Sequence, residues 1–336
     1  MHSSGNKPKD DKIVIGITMG DPAGIGPEII ADTLARNAVE CNVCLVGHRP
    51  TLEAAFAAVD GAPEVALVTA PEVVAGTVAV LPVGDGNAPL TTPGGAGDRA
   101  QFEAVERAVD GVLKGGFDAL VTGPVAKNAI AKVSPSFTGH TGYLAERAGL
   151  SPDDVTMVFA SDRLAVGLVS VHVSLRDVPD ALTPTRLART FEHLRQMVLR
   201  TRPSTRPRIG VAALNPHAGE DGLFGFEEAE LLQPFCREMA SKNEAEVVGP
   251  LPADTIYREA LAGHLDAVVA AYHDQAMIPL KLAGVGQMVN VTMGLPFVRT
   301  SPDHGVAYDL ARTGRADPSG FRLALKLAVT LSLSRS

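Results

Sequence analysis

Apolar stretches of strand length alternate with amphipathic stretches of helix length along most of this chain. The run "KIVIGITMG" is followed by "PEIIADTLARNA", and "CNVCLVGH" is followed by "RPTLEAAFAAV". Farther on, "DRAQFEAVERAVDGVLKG" has apolar residues at three-to-four spacing, as an amphipathic helix does. Strands that alternate with helices in this way form mostly parallel sheets with both faces covered. The alternation therefore predicts an α/β protein built from βα units.

The middle of the chain has a different pattern. The stretch "TMVFASDRLAVGLVSVHVSL" contains two β-rich segments joined at "SDR", which predicts an antiparallel hairpin. An amphipathic helix follows it, with Thr183 or Thr185 as its N-cap, and Ser319 is the predicted N-cap of the last helix. No repeat or low-complexity linker divides the chain. We therefore expect two lobes that share a continuous or interleaved sheet, with a cleft between them.

The composition excludes several classes of protein. The chain has 336 residues, of which 46% are hydrophobic and 20% are charged, as in ordinary globular proteins. Its net charge of −8 argues against nucleic acid as the main partner. No apolar run approaches the roughly 18 residues that span a bilayer. The polar start lacks the apolar core of a signal peptide, so we expect a disordered tail over residues 1–11 and a cytoplasmic location.

The cysteines are too few for a disulfide framework, since the chain has only three. Cys41 and Cys44 form a C-x-x-C pair, which is compatible with a redox or a zinc site. However, no second cysteine pair or suitably spaced histidine completes a zinc site. We therefore interpret both cysteines as small apolar residues in or beside a buried strand.

Histidines are the first candidates for chemistry. The stretch "AYHDQAMIPLKL" places polar residues at the end of an apolar strand, where open α/β sheets carry their sites. His172 lies within a strand pattern, while His217 and His273 each follow an apolar strand. Three imidazoles from separate strands can hold a divalent metal and leave one position open for substrate. Without a local ligand spacing, the residues alone favour a core histidine or a substrate hydrogen-bond donor for each.

Two cations in apolar surroundings form a second set of candidates. Lys281 follows "AMIPL" and Arg299 follows "GLPFV", so the two could grip a phosphate or a carboxylate. The alternative for a lysine in such a place is to extend to water. Asn290 lies inside a strand pattern and needs a hydrogen-bond partner if it is buried, which a purely structural contact would also supply.

Three glycine-containing stretches could approach an anion or a nucleotide. "GDPAGIGPE" lacks the spacing of a dinucleotide fingerprint, but it is a strand–turn–helix that offers free backbone N–H groups. "TGPVAKNAI" repeats this arrangement and adds the charge of Lys127. A tight turn without a ligand explains both equally well. The loop from Asp303 to Pro318 is polar and contains glycines, so it could wrap a nucleotide.

Taken together, the motifs resemble those of the PdxA family, the 4-hydroxythreonine-4-phosphate dehydrogenases of vitamin B6 synthesis. The resemblance is collinear from about Lys12 to Leu333. It rests on "GDPAGIGPEI", "TGPVAKNAI", "FTGHT", "LNPHAGE", "GPLPADT", "YHDQ", "LPFVRTSPDHG" and "GRADPSG". The loop Asp303–Pro318 also resembles the nucleotide loop of isocitrate and isopropylmalate dehydrogenases.

The resemblance implies the two-lobed α/β/α fold of those dehydrogenases, with the active site in the cleft between the lobes. A discontinuous lobe, residues 12–135 and 285–336, would carry an NAD loop. A central lobe, residues 136–284, would carry metal ligands and the contacts of a homodimer with a shared active site.

The resemblance also assigns site residues. It implies that a divalent metal (Zn, Co or Mg) is bound by three histidines, one of them from the other subunit: His172, His217 and His273. A phosphorylated substrate would be held by His140, Thr141, Lys281, Asn290 and Arg299. Metal support or proton transfer would fall to Asp254, Asp274 and Lys281. NAD, with NADP as the alternative, would contact His304, Gly305, Ala307 and Asp309.

The implied reaction is oxidation of 4-phosphohydroxy-L-threonine to a β-keto acid, which loses CO₂ to give 3-amino-2-oxopropyl phosphate. Gly142, Ser174 and Val306 depart from the family pattern. They leave open a paralogous dehydrogenase of D-erythronate or D-threonate 4-phosphate, or of a dihydrodiol carboxylate. Retention of the phosphate-holding residues favours a phosphorylated substrate.

Two other classes of protein fit the residues less well. A metal-dependent hydrolase would have no use for the Asp303–Pro318 loop. A catalytically silent binding protein would be expected to have lost ligands that this chain retains.

Overall fold

The structure, a computed structural model, describes residues 13–36, 41–74, 76–161, 163–202, 206–284 and 288–334. The tail expected at residues 1–11 lies outside this range. The strands are β1 (Val14–Thr18), β2 (Asn42–Gly47), β3 (Val65–Leu67), β4 (Val78–Pro82), β5 (Ala119–Thr122), β6 (Thr156–Ala160), β7 (Ala165–Leu168), β8 (Arg208–Ala212), β9 (Glu246–Leu251), β10 (Ala267–Ala270), β11 (Val289–Met293) and β12 (Val298–Pro302). The helices are α1 (Gly26–Ala35), α2 (Arg49–Ala57), α3 (Ala96–Leu113), α4 (Lys127–Val133), α5 (His140–Arg147), α6 (Val178–Ala181), α7 (Pro184–Thr201), α8 (Gln233–Ser241), α9 (Ala253–Leu261), α10 (His273–Ala283) and α11 (Ser319–Leu333).

The described strands form one 12-stranded sheet in the order β3-β4-β2-β1-β5-β12-β11-β6-β7-β10-β8-β9. Neighbouring strands are antiparallel at β12–β11, β11–β6 and β6–β7, and parallel elsewhere. The predicted α/β class, the hairpin β6–β7 and the continuous sheet are therefore confirmed. The lobe boundaries at residues 135/136 and 284/285 stay a prediction.

The two faces of the sheet are covered differently. One buried hydrophobic cluster runs along a whole face and includes side chains of α1, α7, α8 and α11. The opposite face carries two separate clusters, one with side chains of α3 and α5 and one with side chains of α9 and α10. The central strands β12 and β11 lie between these two clusters. Between the two clusters this face lacks an apolar layer, so a polar cleft can form there.

The sequence predicted the N-cap of α7 correctly and the N-cap of α11 wrongly. Thr183 caps α7, because its hydroxyl accepts a hydrogen bond from the amide of Arg186. Ser319 is not the N-cap of α11; it is the first residue of that helix. The amide of Ser319 donates to the carboxylate of Asp317 at 2.9 Å. The longer aspartate side chain therefore satisfies the free amide, and the serine enters the helix.

The strand pattern around His172 is also misleading, because β7 ends at Leu168. The amides of Val169 and Ser170 still donate to the carbonyls of Ala270 and Ala271, but no strand continues to His172. The histidine therefore lies in the connection after β7, not in the sheet.

Cys44 is fully buried within β2, and burial raises the pKa of its thiol to about 11. A thiol that stays protonated is a poor nucleophile and metal ligand, which favours the packing role inferred for it. No helix among the described residues is long and apolar enough to cross a membrane.

Replacing Thr183 by Ala should lower the free energy of unfolding by about 1 kcal/mol, because the Arg186 amide loses its acceptor. Urea denaturation followed by circular dichroism measures this change. Thr185→Ala is the matched control, since Thr185 is exposed in the first turn of α7 and should change the free energy by less than about 0.5 kcal/mol. Equal effects of the two substitutions would contradict the capping role.

Candidate active site

A cavity of about 300 Å³ opens on the central strands of the sheet. The turn after β5, the starts of α4 and α5, strands β6, β11 and β12, and the loop that begins at Asp303 line it. Arg299 and Ser301 line the cavity from β12, whereas Thr300 between them points to the opposite face and donates to the carbonyl of Ala324 in α11. Alternate residues of a strand face opposite sides, so the cavity occupies the face left uncovered between the two clusters.

Arg299 is the dominant charge of this cavity and is only 3% exposed. Its Nε and Nη2 donate to the hydroxyl of Thr122 at 3.2 and 2.7 Å, and its Nη1 donates to the hydroxyl of Thr292 at 3.1 Å. Burial lowers the pKa of Arg299 to about 10, which leaves it charged at neutral pH. Among the described residues no carboxylate forms an ion pair with it. A buried charge without a counter-ion is costly, so an anionic ligand would stabilise this site.

Three polar atoms of the cavity residues are buried and have no hydrogen-bond partner within the described structure. They are Nε2 of His140, Oδ1 of Asn290 and Nε2 of His304. Buried polar atoms in folded proteins nearly always have a partner, so these three are free to bind a polar ligand. The amide of Asn290 can present its oxygen or, after rotation by 180°, its nitrogen.

His140 is held in the neutral form. Burial, together with the charges of Arg299 and Lys127, keeps the pKa of His140 well below its usual range. A neutral imidazole with Nε2 protonated can donate one hydrogen bond to an anion without bringing a further charge.

Two charged residues of the cavity wall, Lys127 and Asp303, interact electrostatically with histidines predicted to bind metal. Lys127 lies close enough to both His140 and His172 for its charge to lower the pKa of each. Burial raises the pKa of Asp303, while the nearby charges of Lys281, His304 and His273 act in the opposite direction. Lys127 and Asp303 therefore interact electrostatically with residues of both the cavity and the histidine pair His172 and His273.

His172 and His273 come together because β7 and β10 are parallel neighbours, and both histidines follow the carboxyl ends of these strands. Their ring centroids are 5.9 Å apart. Burial, followed by the charges of Lys127 and His273, lowers the pKa of His172, which favours the neutral form that binds metals. Nδ1 of His273 pairs with the carboxylate of Asp274 at 2.7 Å, which leaves Nε2 for a metal.

His217 follows β8, the other neighbour of β10, but it lies apart from this pair. Its ring faces Phe224 at a centroid distance of 6.1 Å. Within the described residues, no three histidine, cysteine or acidic side chains are close enough together to hold a metal. One chain therefore brings two of the three predicted ligands together and does not place His217 with them.

The loop predicted to bind NAD borders the cavity through His304 and Gly305. It packs on the "GDPAGIGPE" turn: the carbonyl of Val306 accepts from the amide of Ile25, and the hydroxyl of Tyr308 donates to Asp21 at 2.7 Å. Ala307 adopts a left-handed conformation (φ 41°) at the bend of this loop. For Asp309 in the loop, and for Asp254 in the first turn of α9, no contact with the cavity is seen among the described residues.

Sequence reasoning noticed Lys127 only as a possible charge and missed Thr122 and Asp303. The signal for Thr122 was present, since a threonine ends an otherwise apolar strand just before the "TGPVAKNAI" turn. In the sequence, Asp303 is distinguished only as the first residue of a polar loop. Its position beside Lys281 depends on tertiary packing.

Comparison with known proteins decides the family. Residues 39–328 match the model of the family described as pyridoxal phosphate biosynthetic protein PdxA. This chain belongs to the PdxA family. Among its relatives, the 4-hydroxythreonine-4-phosphate dehydrogenase of Desulfosudis oleivorans is 41% identical over 94% of this chain and 95% of the relative. The D-threonate 4-phosphate dehydrogenase of Pectobacterium atrosepticum is 39% identical, with coverage of 95% and 99%.

Solved structures agree with this PdxA assignment. A crystal structure of 4-hydroxythreonine-4-phosphate dehydrogenase from Klebsiella pneumoniae superposes with a TM-score of 0.81 at 36% identity, covering 96% of this chain and all of that chain. Isocitrate dehydrogenase from Methylococcus capsulatus, at 14% identity and a TM-score of 0.50, shares the fold alone, with 96% of this chain and 88% of that chain covered. The predicted fold is confirmed, and the chain is an enzyme of the dehydrogenase type.

The low pKa of His140 predicts how the stability of this PdxA protein depends on pH. In the unfolded chain the imidazole takes a proton near pH 6.5, whereas in the folded protein it stays neutral. The unfolded state therefore binds more protons as the pH falls, and this residue should reduce the free energy of unfolding by about 1.4 kcal/mol for each pH unit below about 6.5. Urea titrations of the wild type and of His140→Gln between pH 7.5 and 5.5 test this expectation. The variant should lose less stability on acidification, and identical slopes would contradict the assignment.

Proposed function

We propose that this PdxA enzyme oxidises 4-phosphohydroxy-L-threonine in an NAD- and divalent-metal-dependent reaction of pyridoxal phosphate biosynthesis. The product is a β-keto acid that loses CO₂ to give 3-amino-2-oxopropyl phosphate. The observation that carries the proposal is the buried, unneutralised Arg299 in one cavity with the unpartnered atoms of His140 and Asn290. Relatives of similar length with the corresponding name support the choice of substrate.

The cavity is suited to the phosphate of this substrate. Arg299 offers a charged planar donor group, and Lys127 adds a second positive charge nearby. His140 donates through Nε2, and the Thr141 hydroxyl and the Asn290 amide offer further hydrogen bonds from the cavity wall. Binding a phosphate far from the reacting carbon supplies energy that orients the rest of the molecule.

The two imidazoles beside the cavity fit a divalent metal such as Zn or Co, whereas Mg would rely on carboxylate and water oxygens. His172 and His273 offer two imidazoles at a suitable separation, and Asp274 orients the second of them. A metal held there would supply Lewis acidity, which would lower the pKa of the substrate hydroxyl. We assign removal of the hydroxyl proton to Lys281, whose charge acts on Asp303 at the cavity, or to a water held by Asp274 or Asp254.

The loop residues His304, Gly305, Ala307 and Asp309 would hold the dinucleotide at the cavity mouth. Bound NAD, with NADP as the alternative, supplies the acceptor for the hydride that leaves carbon. When the carboxylate then leaves as CO₂, its electron pair passes to the ketone oxygen. Protonated Lys281 would stabilise the charge on that oxygen.

A homodimer with a shared active site accounts for the separate position of His217. Exposed apolar side chains flank all three histidines along the chain: Val173, Leu175, Leu223, Phe224, Phe226, Ile278 and Leu282. Exposed apolar clusters of this kind mark protein interfaces, and a two-fold axis makes such a contact self-complementary. We place His217 of one subunit beside His172 and His273 of the other, so that each metal site uses both chains.

Oxidation of D-threonate or D-erythronate 4-phosphate is the second candidate function. The Pectobacterium atrosepticum relative favours it, since it is nearly as similar to this chain as the relatives named for 4-hydroxythreonine-4-phosphate. Both candidates place a terminal phosphate on Arg299, so the cavity described above serves either substrate.

NADH formation at 340 nm tests the proposed function. Purified protein with NAD⁺, Co²⁺ and 4-phosphohydroxy-L-threonine should reduce NAD⁺, and a chelator should abolish the rate. D-threonate and D-erythronate 4-phosphates run as parallel substrates. Turnover with only a sugar-acid phosphate would select the second candidate. Turnover that is insensitive to chelator would contradict the metal-dependent mechanism.

A further inference from the structure

A buried carboxylate supports the turn that carries His217. Glu228 lies in a π-helical turn (Glu228–Leu232) and is 2% exposed. Its Oε1 accepts from the amides of Leu214 and Asn215, both at 2.8 Å, and its Oε2 accepts from the Asn215 side chain at 2.9 Å. No cation among the described residues pairs with this carboxylate. Its hydrogen bonds thus go to the chain segment that ends two residues before His217.

That segment leads into a turn with an unfavourable backbone. His217, Ala218, Glu220 and Asp221 all have left-handed conformations, with φ between 45° and 57°. Side chains with a Cβ are crowded in this conformation, and L-residues rarely adopt it in succession. The turn therefore depends on contacts from outside to keep its shape.

Glu228 accepts hydrogen bonds from the residues that lead into the turn, and its carboxylate also packs against Gly219 in the middle of the turn. A side chain at Gly219 (φ 82°) would approach Oε2 of Glu228 to 2.8 Å, so the carboxylate lies directly against the turn. Because the backbone between Asn215 and His217 is short, fixing the amide of Asn215 restricts where the imidazole can point.

We propose that Glu228 is a positioning residue that holds His217 in the orientation needed to bind the divalent metal. This inference rests on the proposed function, in which His217 is a metal ligand. Residues that orient a metal ligand typically change metal affinity by 10- to 100-fold when they are replaced. Glu228 differs from them in acting through the backbone of the ligand's turn.

The informative substitution is Glu228→Gln, which keeps the size of the side chain. A glutamine oxygen can still accept from the two backbone amides, but its NH₂ group would face the NH₂ group of Asn215. One hydrogen bond is then lost, and two donors oppose each other. Glu230→Gln is the matched control, since Glu230 is exposed in the same π-helical turn and its side chain forms no hydrogen bond or ion pair with residues 214–221 in the described structure.

The test is a titration of the metal-free full-length protein with Co²⁺, followed by the visible absorption of the bound ion. Glu228→Gln should raise the Kd for Co²⁺ about 10- to 100-fold and weaken the absorption band, while saturating Co²⁺ should restore most of kcat. Glu230→Gln should match the wild type. Loss of stability alone would lower kcat at every Co²⁺ concentration, so recovery at high Co²⁺ distinguishes positioning from unfolding.

Two further variants make the result decisive. Asn215→Ala removes the side-chain hydrogen bonds to Glu228 and to Glu227 (2.7 Å) but keeps both backbone amides on Glu228. It should raise the Kd less, which keeps the inference testable if Glu228→Gln folds poorly. His217→Ala reports on the proposed function itself. If His217→Ala weakens Co²⁺ binding and neither Glu228→Gln nor Asn215→Ala does, the positioning role is overturned while the metal site stands. If His217→Ala binds Co²⁺ like the wild type, the metal assignment fails as well.

Discussion

The candidate site is organised around a positive charge buried in the middle of the sheet. Arg299 lies inside β12, where two threonine hydroxyls solvate its guanidinium but cannot neutralise it. The surrounding fold permits this because the apolar cover of that face is interrupted over the central strands. The same buried charge helps to keep His140 neutral. A dianionic phosphate at this place, as we propose, would offset the cost of burial.

The fold could be predicted from the sequence because strand and helix periods are local properties. Apolar runs and amphipathic stretches located β1, β2, α1 and α2 closely, and one of the two threonines proposed as the cap of α7 proved correct. The predictions failed where contacts between residues, and not the local sequence pattern, determine where an element begins or ends. At α11 the N-cap position is Pro318, and the Asp317 carboxylate accepts from the amide of Ser319, which is the first residue of the helix. The alternating pattern at His172 resembled a strand, yet β7 ends at Leu168, and only the next two residues still bond to the chain beyond β10.

The candidate site could be predicted only in part. Residue type and the family resemblance pointed to His140, Asn290 and Arg299, which the fold places in one cavity. Asn290 and Arg299 share a face of the sheet because the strand register pairs Asn290 with Ser301, which lies two residues after Arg299 on β12. This register cannot be deduced from a single sequence. The meeting of His172 with His273 likewise requires β7 to lie beside β10. Glu228 escaped notice because its partners are backbone amides, which leave no sequence pattern.

The most direct test of the role of Arg299 is calorimetric binding of 4-phosphohydroxy-L-threonine and of 4-hydroxy-L-threonine to the wild type and to Arg299→Lys. Lysine keeps the charge but loses the planar group that offers several donors, and a hydrogen bond to a charged group contributes about 1.5–3 kcal/mol. The account predicts that the substitution weakens binding of the phosphorylated compound by about 10- to 100-fold and leaves the weak binding of the other unchanged. Equal losses for both compounds, or none for either, would contradict the assignment of Arg299 to the phosphate.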